Sequence, residues 1–134
     1  MPRRKTYFTK LKVKKRSVNI VSLDKPFPDN YGGIIDIFQK IKALHSLGIN
    51  IHLHYFSEDN KKSKELNKYC QSVHYYKRNK NWQKWFSLTP FIVKSRDNKS
   101  LLKKLSKNKY PILFEGIHTT FFANHKNLSN RKLF

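Results

Sequence analysis

The chain has 134 residues, enough for one domain with a hydrophobic core and too few for two domains of ordinary size. Its 29 Lys plus Arg against 8 Asp plus Glu give a net charge of +21, which predicts either an anionic partner or a solvated, Lys-rich surface. The single cysteine, Cys70, excludes an internal disulfide, and no stretch of sequence resembles a signal peptide or is long enough to cross a bilayer.

Residues 1–16 are the first predicted segment, a basic arm. They contain eight Lys or Arg and no apolar periodicity, so we predict that they are flexible. Residues 17–134 are predicted to form the folded domain, which we expect to be incomplete at its C-terminus. Because Lys and Arg are attracted to anionic lipid, the arm and the Lys-rich helix faces are expected to bind an anionic membrane surface.

A strand, a helix and a second strand are predicted next. SVNIVSL at 17–23 is rich in β-branched residues and predicts a strand, after which an aspartate and two prolines form a stiff loop. INIHLHYF at 49–56 predicts the second strand, so the order is that of a right-handed parallel βαβ unit. Apolar residues recur at helical spacing between Gly33 and Gly48, which predicts an amphipathic helix; they are Ile34, Ile37, Phe38, Ile41 and Leu44.

The alternation of strands and helices continues along the chain. KKSKELNKY is a candidate helix, SVHYY at 72–76 a third strand and NWQKWFSL a short helical turn. In RDNKSLLKKLSK, Asp97 is placed to cap a helix, and YPILFEG at 110–116 predicts a fourth strand. A further strand is expected to begin at NRKLF. The fold class is therefore α/β, a Rossmann-like open parallel sheet with helices on both faces.

The loop after the first strand is the first candidate site. In such sheets ligands bind outside the carboxyl ends of the strands. Gly32 and Gly33 would let backbone amides approach a ligand, and the positive end of the next helix favours phosphate or carboxylate. The spacing is neither a dinucleotide fingerprint nor a phosphate-binding loop. A plain tight turn remains the alternative.

The segment FEGIHTTFFANH, after the fourth strand, is the second candidate site. Glu115, Gly116 and His118 would reach the same carboxyl edge as the glycine loop. His118 could accept a proton, hold an alcohol or donate to a phosphate, oriented by Glu115. The alternative is that His118 only bonds its own loop backbone. His52 and His54 share one strand face, but no Cys or carboxylate is spaced to complete a metal site, so no metal is expected.

The runs PFPDNYGGIIDIFQKIKALHSLGINIHLHYF, PFIVKSR and YPILFEGIHTTFF resemble the N-terminal half of GT-B glycosyltransferases, near the family 4 group of bacterial cell-envelope gene sets. The resemblance covers about 17–134. It implies that Gly32 and Gly33 lie near the donor phosphates, that Arg96 lies near the same cleft, and that His118 contacts the acceptor or the transferred sugar. Family members use a nucleotide sugar as donor and need neither a metal nor a covalently bound cofactor.

The family's second Rossmann domain, which holds the donor, has no counterpart in the sequence, so the resemblance implies a truncated chain that is inactive alone. Expected partners are a nucleotide sugar, a lipid or glycan acceptor and a separate C-terminal glycosyltransferase domain, at the cytoplasmic face of the membrane. Two alternatives remain: a non-catalytic partner subunit, and a nucleic-acid-binding module. Aromatic residues among the basic ones of HYYKRNKNWQKWF favour the latter, but no nucleic-acid fold signature accompanies them.

Overall fold

A computed structural model of the chain describes residues 15–28, 30, 32–59, 62–78, 98–116, 119, 125–128 and 132–133. Strands and helices alternate along them as the sequence predicts. In chain order the elements are β1 (Ser17–Ser22), α1 (Gly32–Ser46), β2 (Asn50–Phe56), α2 (Lys64–Asn67), β3 (Ser72–Tyr76), α3 (Lys99–Ser106), β4 (Ile112–Glu115), a 3-10 helix (Lys126–Leu128) and β5 (Lys132–Leu133).

The strands form one sheet in the order β3-β2-β1-β4-β5, and all four pairings are parallel. The chain starts in the middle of the sheet, adds β2 and β3 on one side, and then crosses over to add β4 and β5 on the other. This is the strand order of a Rossmann-like sheet. The predicted fold class is confirmed, and the expected strand at the end of the chain corresponds to β5, which pairs with β4.

Helices cover both faces of the sheet. On one face, Ile34, Ile37, Phe38 and Ile41 of α1 pack against buried residues of β1 and β2. On the other face, Leu101 and Leu105 of α3 pack against buried residues of β1 to β4. Each buried aliphatic side chain contributes about 1.5–3 kcal/mol, so these two layers are the main source of stability.

The end of α1 lies where the glycine predicts it. The amide of Gly48 donates to the carbonyl of His45 (2.9 Å), and the amide of Ile49 donates to the carbonyl of Leu44 (3.1 Å). Gly48 has a φ of 75°, a conformation that costs other residues energy. The glycine therefore ends the helix and turns the chain toward β2.

Two predicted helices differ from the observed ones. Helix α3 is capped by Asn98, whose side-chain oxygen accepts from the amides of Ser100 (3.0 Å) and Leu101 (3.3 Å), and not by Asp97, which lies outside the described residues. Asn and Asp are both good caps, so sequence alone does not choose between neighbours. Helix α2 is a single turn, shorter than KKSKELNKY predicts, and Ser63 caps it.

Several predictions fall on residues that are not described. They are the arm over 1–14, the helical turn in NWQKWFSL, and the candidate site residues Arg96 and His118. None of the helices formed by the described residues is long and apolar enough to span a membrane.

Candidate functional site

The carboxyl edge of the sheet brings together the loops that follow β1, β2 and β4. Ser22, the last residue of β1, is in register with Tyr55 of β2 and with Glu115 of β4. The first turn of α1 lies at the same edge, because the helix follows β1 after a short loop. The predicted convergence of the loops after β1 and β4 is therefore observed.

A cleft of about 210 Å³ lies at this edge, between the loop after β1 and the loop after β2. Its polar wall carries three carboxylates and one lysine: Asp24, Glu58, Asp59 and Lys25. Its apolar wall is made by Phe27, Pro28 and Phe56, and Asn30 and Ser57 complete the lining. The lining combines hydrogen-bond acceptors with an aromatic surface.

Contacts within the two loops hold the Asp59 carboxylate and the backbone of the loop after β1. The Ser57 hydroxyl donates to Asp59 Oδ1 (3.0 Å), and Lys25 Nζ lies 3.6 Å from Asp59 Oδ2, so Asp59 joins the two loops. The Ser22 hydroxyl donates to the carbonyl of Asp24 (2.7 Å), which holds the loop close to the strand. The Phe27 ring packs against Phe38 of α1, with 5.5 Å between the centroids. The cleft is therefore anchored to β1, β2 and α1.

Gly32 and Gly33 are the first two residues of α1, and both are exposed. A Cβ built on Gly32 meets no atom of the described residues within 4 Å. The two glycines lie at the predicted edge, but neither lines the cleft among its described residues. Of the predicted site glycines, Gly116 has a positive φ, of 83°, because the chain turns sharply there after β4.

Glu115 has a partner that the sequence analysis did not predict. Its carboxylate forms an ion pair with Lys40 of α1, at 2.5 Å. The turn behind it is closed by Thr119, whose hydroxyl and amide both donate to the carbonyl of Gly116 (2.8 and 3.1 Å). The observed contact thus ties β4 to α1, and the predicted pairing with His118 stays a prediction.

The two histidines of β2 share a face, as predicted, and both are held by hydrogen bonds. His52 Nδ1 lies 2.8 Å from the Ser72 hydroxyl, and His54 Nδ1 lies 2.8 Å from the Tyr76 hydroxyl. Over the part of the chain that the structure describes, no group of three or more His, Cys, Asp or Glu is arranged to hold a metal ion.

The aromatic and basic segment HYYKRNKNWQKWF begins inside the sheet. Its first residues, 74–76, belong to β3, and Tyr76 is buried against Phe56. Its hydroxyl bonds His54, and burial raises the pKa of this phenol. Tyr76 therefore contributes to the core and is not available to stack on a base, which removes one of the aromatics of the nucleic-acid hypothesis.

Sequence reasoning placed the loop after β1 at this edge, but it named only the glycines of that loop as site residues. It gave no role to Glu58 and Asp59. A signal was available: the segment SED follows β2 directly, at the edge where loops of parallel strands meet. With only 8 acidic residues in the chain, three in one cleft is a local reversal of the overall charge.

Comparison with known proteins gives one informative match. Over 97 residues the chain is 33% identical to an uncharacterized 44.6 kDa protein in the cps region of Klebsiella pneumoniae, and the match covers 67% of this chain. The chain spans about a quarter of that relative's length, 24%. No family model matches the chain, and no solved structure matches it. The match to a protein of a cps region is consistent with a cell-envelope context, and these comparisons show no glycosyltransferase family.

Proposed function

We propose that this chain is the acceptor-side Rossmann-like domain of a glycosyltransferase that builds a cell-envelope polysaccharide, in the context of capsule formation. The observation that carries the proposal is the cleft at the carboxyl edge, with its three carboxylates and its aromatic wall. The strand order and the similarity to a protein in a cps region support it. Catalysis would also need a bound nucleotide sugar, which the family resemblance assigns to a second domain.

The lining of the cleft matches the chemistry of a sugar. Hydroxyl groups donate hydrogen bonds to carboxylates, and each carboxylate has about four lone-pair sites, so Asp59 can accept a hydroxyl in addition to Ser57 and Lys25. The C–H face of a pyranose packs on aromatic carbon, which Phe27 supplies. The same carboxylates repel phosphate, so we assign this cleft to the acceptor sugar and not to the donor phosphates.

The proposal also gives roles to the predicted residues. Gly32 and Gly33, exposed in the first turn of α1, would face the donor phosphates, because backbone amides and the positive end of the helix are oriented toward the edge. His118 would contact the acceptor hydroxyl or the transferred sugar, and Arg96 would lie near the cleft. Gly116 would let the chain turn beside the acceptor. Glu115 would contact the substrate and orient His118, while its ion pair with Lys40 holds it against α1.

Binding of oligosaccharides tests the function directly. We expect the chain to bind at least one member of a panel of oligosaccharides released from Klebsiella pneumoniae capsular polysaccharides. Asp59→Asn should weaken that binding at least tenfold, since a hydrogen bond to a charged group is worth about 1.5–3 kcal/mol. Titration calorimetry measures the effect.

The matched control is Asp36→Asn, which removes the same charge from the exposed face of α1. It should leave the affinity unchanged. Asp59→Asn should lower the free energy of unfolding by no more than about 1 kcal/mol, because Asp59 is half exposed and Lys25 Nζ lies 3.6 Å away. If no oligosaccharide binds, or if the two variants behave alike, the proposed function is wrong.

A further inference from the structure

A second cleft, of about 220 Å³, lies on the α3 face of the sheet, over the amino-terminal half of the strands. Its floor is formed by polar side chains where a Rossmann-like sheet normally carries apolar ones: Asn19, His52, His54, Ser72 and His74. One wall is formed by the end of α3, with Lys104, Lys107 and Asn108. It is thus separated along the strands from the acidic cleft at the carboxyl edge.

We propose that this amino-side cleft binds a phosphate group. The inference is independent of the proposed function, because it uses none of the residues of the carboxyl edge. Among the described residues that line the cleft there are two lysines, three histidines and no carboxylate. The cleft is smaller than the pockets of about 300–1,000 Å³ that hold drug-sized ligands, so a small oxyanion suits it better than a nucleotide.

The floor of the cleft is a fixed hydrogen-bond network. Asn19 is fully buried and donates through Nδ2 to Asn108 Oδ1 (2.8 Å). Its Oδ1 lies 3.4 Å from His54 Nε2 and can only accept, so His54 carries its proton on Nε2 and accepts at Nδ1 from the Tyr76 hydroxyl. Burying such groups is costly, and the network keeps them satisfied and rigid.

The cations around the floor are not balanced by acids in the lining. Lys104 Nζ lies 3.0 Å from His74 Nδ1, and since an ammonium can only donate, His74 keeps a proton on Nε2 as a donor. Lys107 is exposed at the rim. Together these groups provide two positive charges and several N–H donors around one small space, which is the chemistry that recognises phosphate.

Burial, and to a smaller extent the neighbouring positive charges, lowers the pKa values of the histidines of this cleft. The pKa of His54 is lowered to about 3, mainly by burial and further by electrostatic interaction with His74, Lys104 and His52. The pKa of His74 is lowered mainly by burial and further by Lys104, His52 and Lys62. The pKa of His52, whose ring stacks on Tyr110, is lowered by burial. A bound anion would oppose the electrostatic part of these shifts, so phosphate should raise the pKa of His74.

Histidine ring NMR with added inorganic phosphate tests the proposal, at ionic strength held constant with sodium chloride. We expect saturable shifts of the His52, His54 and His74 rings and none for His45, which lies on α1. Lys104→Gln and Lys107→Gln should each weaken binding at least tenfold. The matched control is Lys103→Gln, which removes the same charge from the same helix outside the cleft and should change nothing.

A second arm identifies the source of the phosphate group. Vesicles of phosphatidylcholine with phosphatidic acid are compared with phosphatidylcholine alone, using the same variants. Saturable binding of free phosphate indicates a soluble ligand. Binding to the phosphatidic acid vesicles that is lost in Lys107→Gln and kept in Lys103→Gln indicates a lipid headgroup. Either result supports the site. If Lys104→Gln does not fold, Lys107→Gln carries the test. Shifts that also affect His45, or equal losses in all three lysine variants, would show unspecific attraction to a basic protein and overturn the proposal.

Discussion

At the residue scale, the fold buries the His54 side chain and strongly lowers its pKa. It is 2% exposed, its ring stacks on His74 and Tyr76, and both ring nitrogens have partners. The sequence predicted only that His52 and His54 share a strand face. It could not show that His54 is buried, because its partners Asn19 and Tyr76 come from strands that are distant along the chain.

Stability is therefore expected to fall as the pH is lowered from 7 to 5. The pKa of His54 is about 3 in the folded protein and near 6.5 when unfolded, so the unfolded state takes up a proton that the folded state does not. The loss attributable to His54 is about 2 kcal/mol over this range. His52 and His74 act in the same direction, since their pKa values are also lowered.

Urea unfolding at the two pH values, on the wild type and two variants, measures this effect. His54→Gln should lose part of the pH dependence, and His45→Gln, which changes an exposed histidine of α1, should keep all of it. Equal pH dependence in wild type and His54→Gln would show that His54 is protonated in the folded state.

At the element scale, periodicity predicted the core-facing side chains well, and boundaries less well. The apolar stripe of α1 and the strand SVHYY lie where the pattern places them. The reason is that residues buried on one face of a helix or strand recur in the sequence at the period of that element. The cap of α3 was placed one residue early, at Asp97. The two adjacent residues are about equally good caps, so the sequence did not distinguish between them; in the fold, Leu101 of the first turn packs with buried residues of β3 and β4.

The cap of α3 gives a test at this scale. Asn98→Ala should lower the free energy of unfolding by about 1 kcal/mol, because the amides of Ser100 and Leu101 lose their acceptor. Asn98→Asp should retain most of the stability, as a carboxylate caps equally well and favours the helix dipole. Urea unfolding compares them with Asn67→Ala, an exposed change in α2. Full stability of Asn98→Ala would contradict the assigned cap.

At the scale of the whole molecule, the order of strands and helices was enough to predict a Rossmann-like sheet. The site was harder to predict, because its lining depends on side chains of two loops that the fold brings together. Glu115 illustrates the limit: its position at the edge was predicted correctly, and its contact with Lys40 was not. The charge is also unevenly distributed, with acidic groups in the carboxyl-edge cleft and cations around the amino-side cleft.

The central claim is that a glycan acceptor binds at the carboxyl edge of this sheet. Backbone amide NMR of the isotope-labelled chain, titrated with the oligosaccharide that binds best, tests it most directly. We predict saturable shifts concentrated at 23–28 and 57–59, with little change at the amino-side cleft around His52 and Lys107. Shifts centred on the amino-side cleft, or spread evenly over the sheet, would contradict the assignment of the acceptor site.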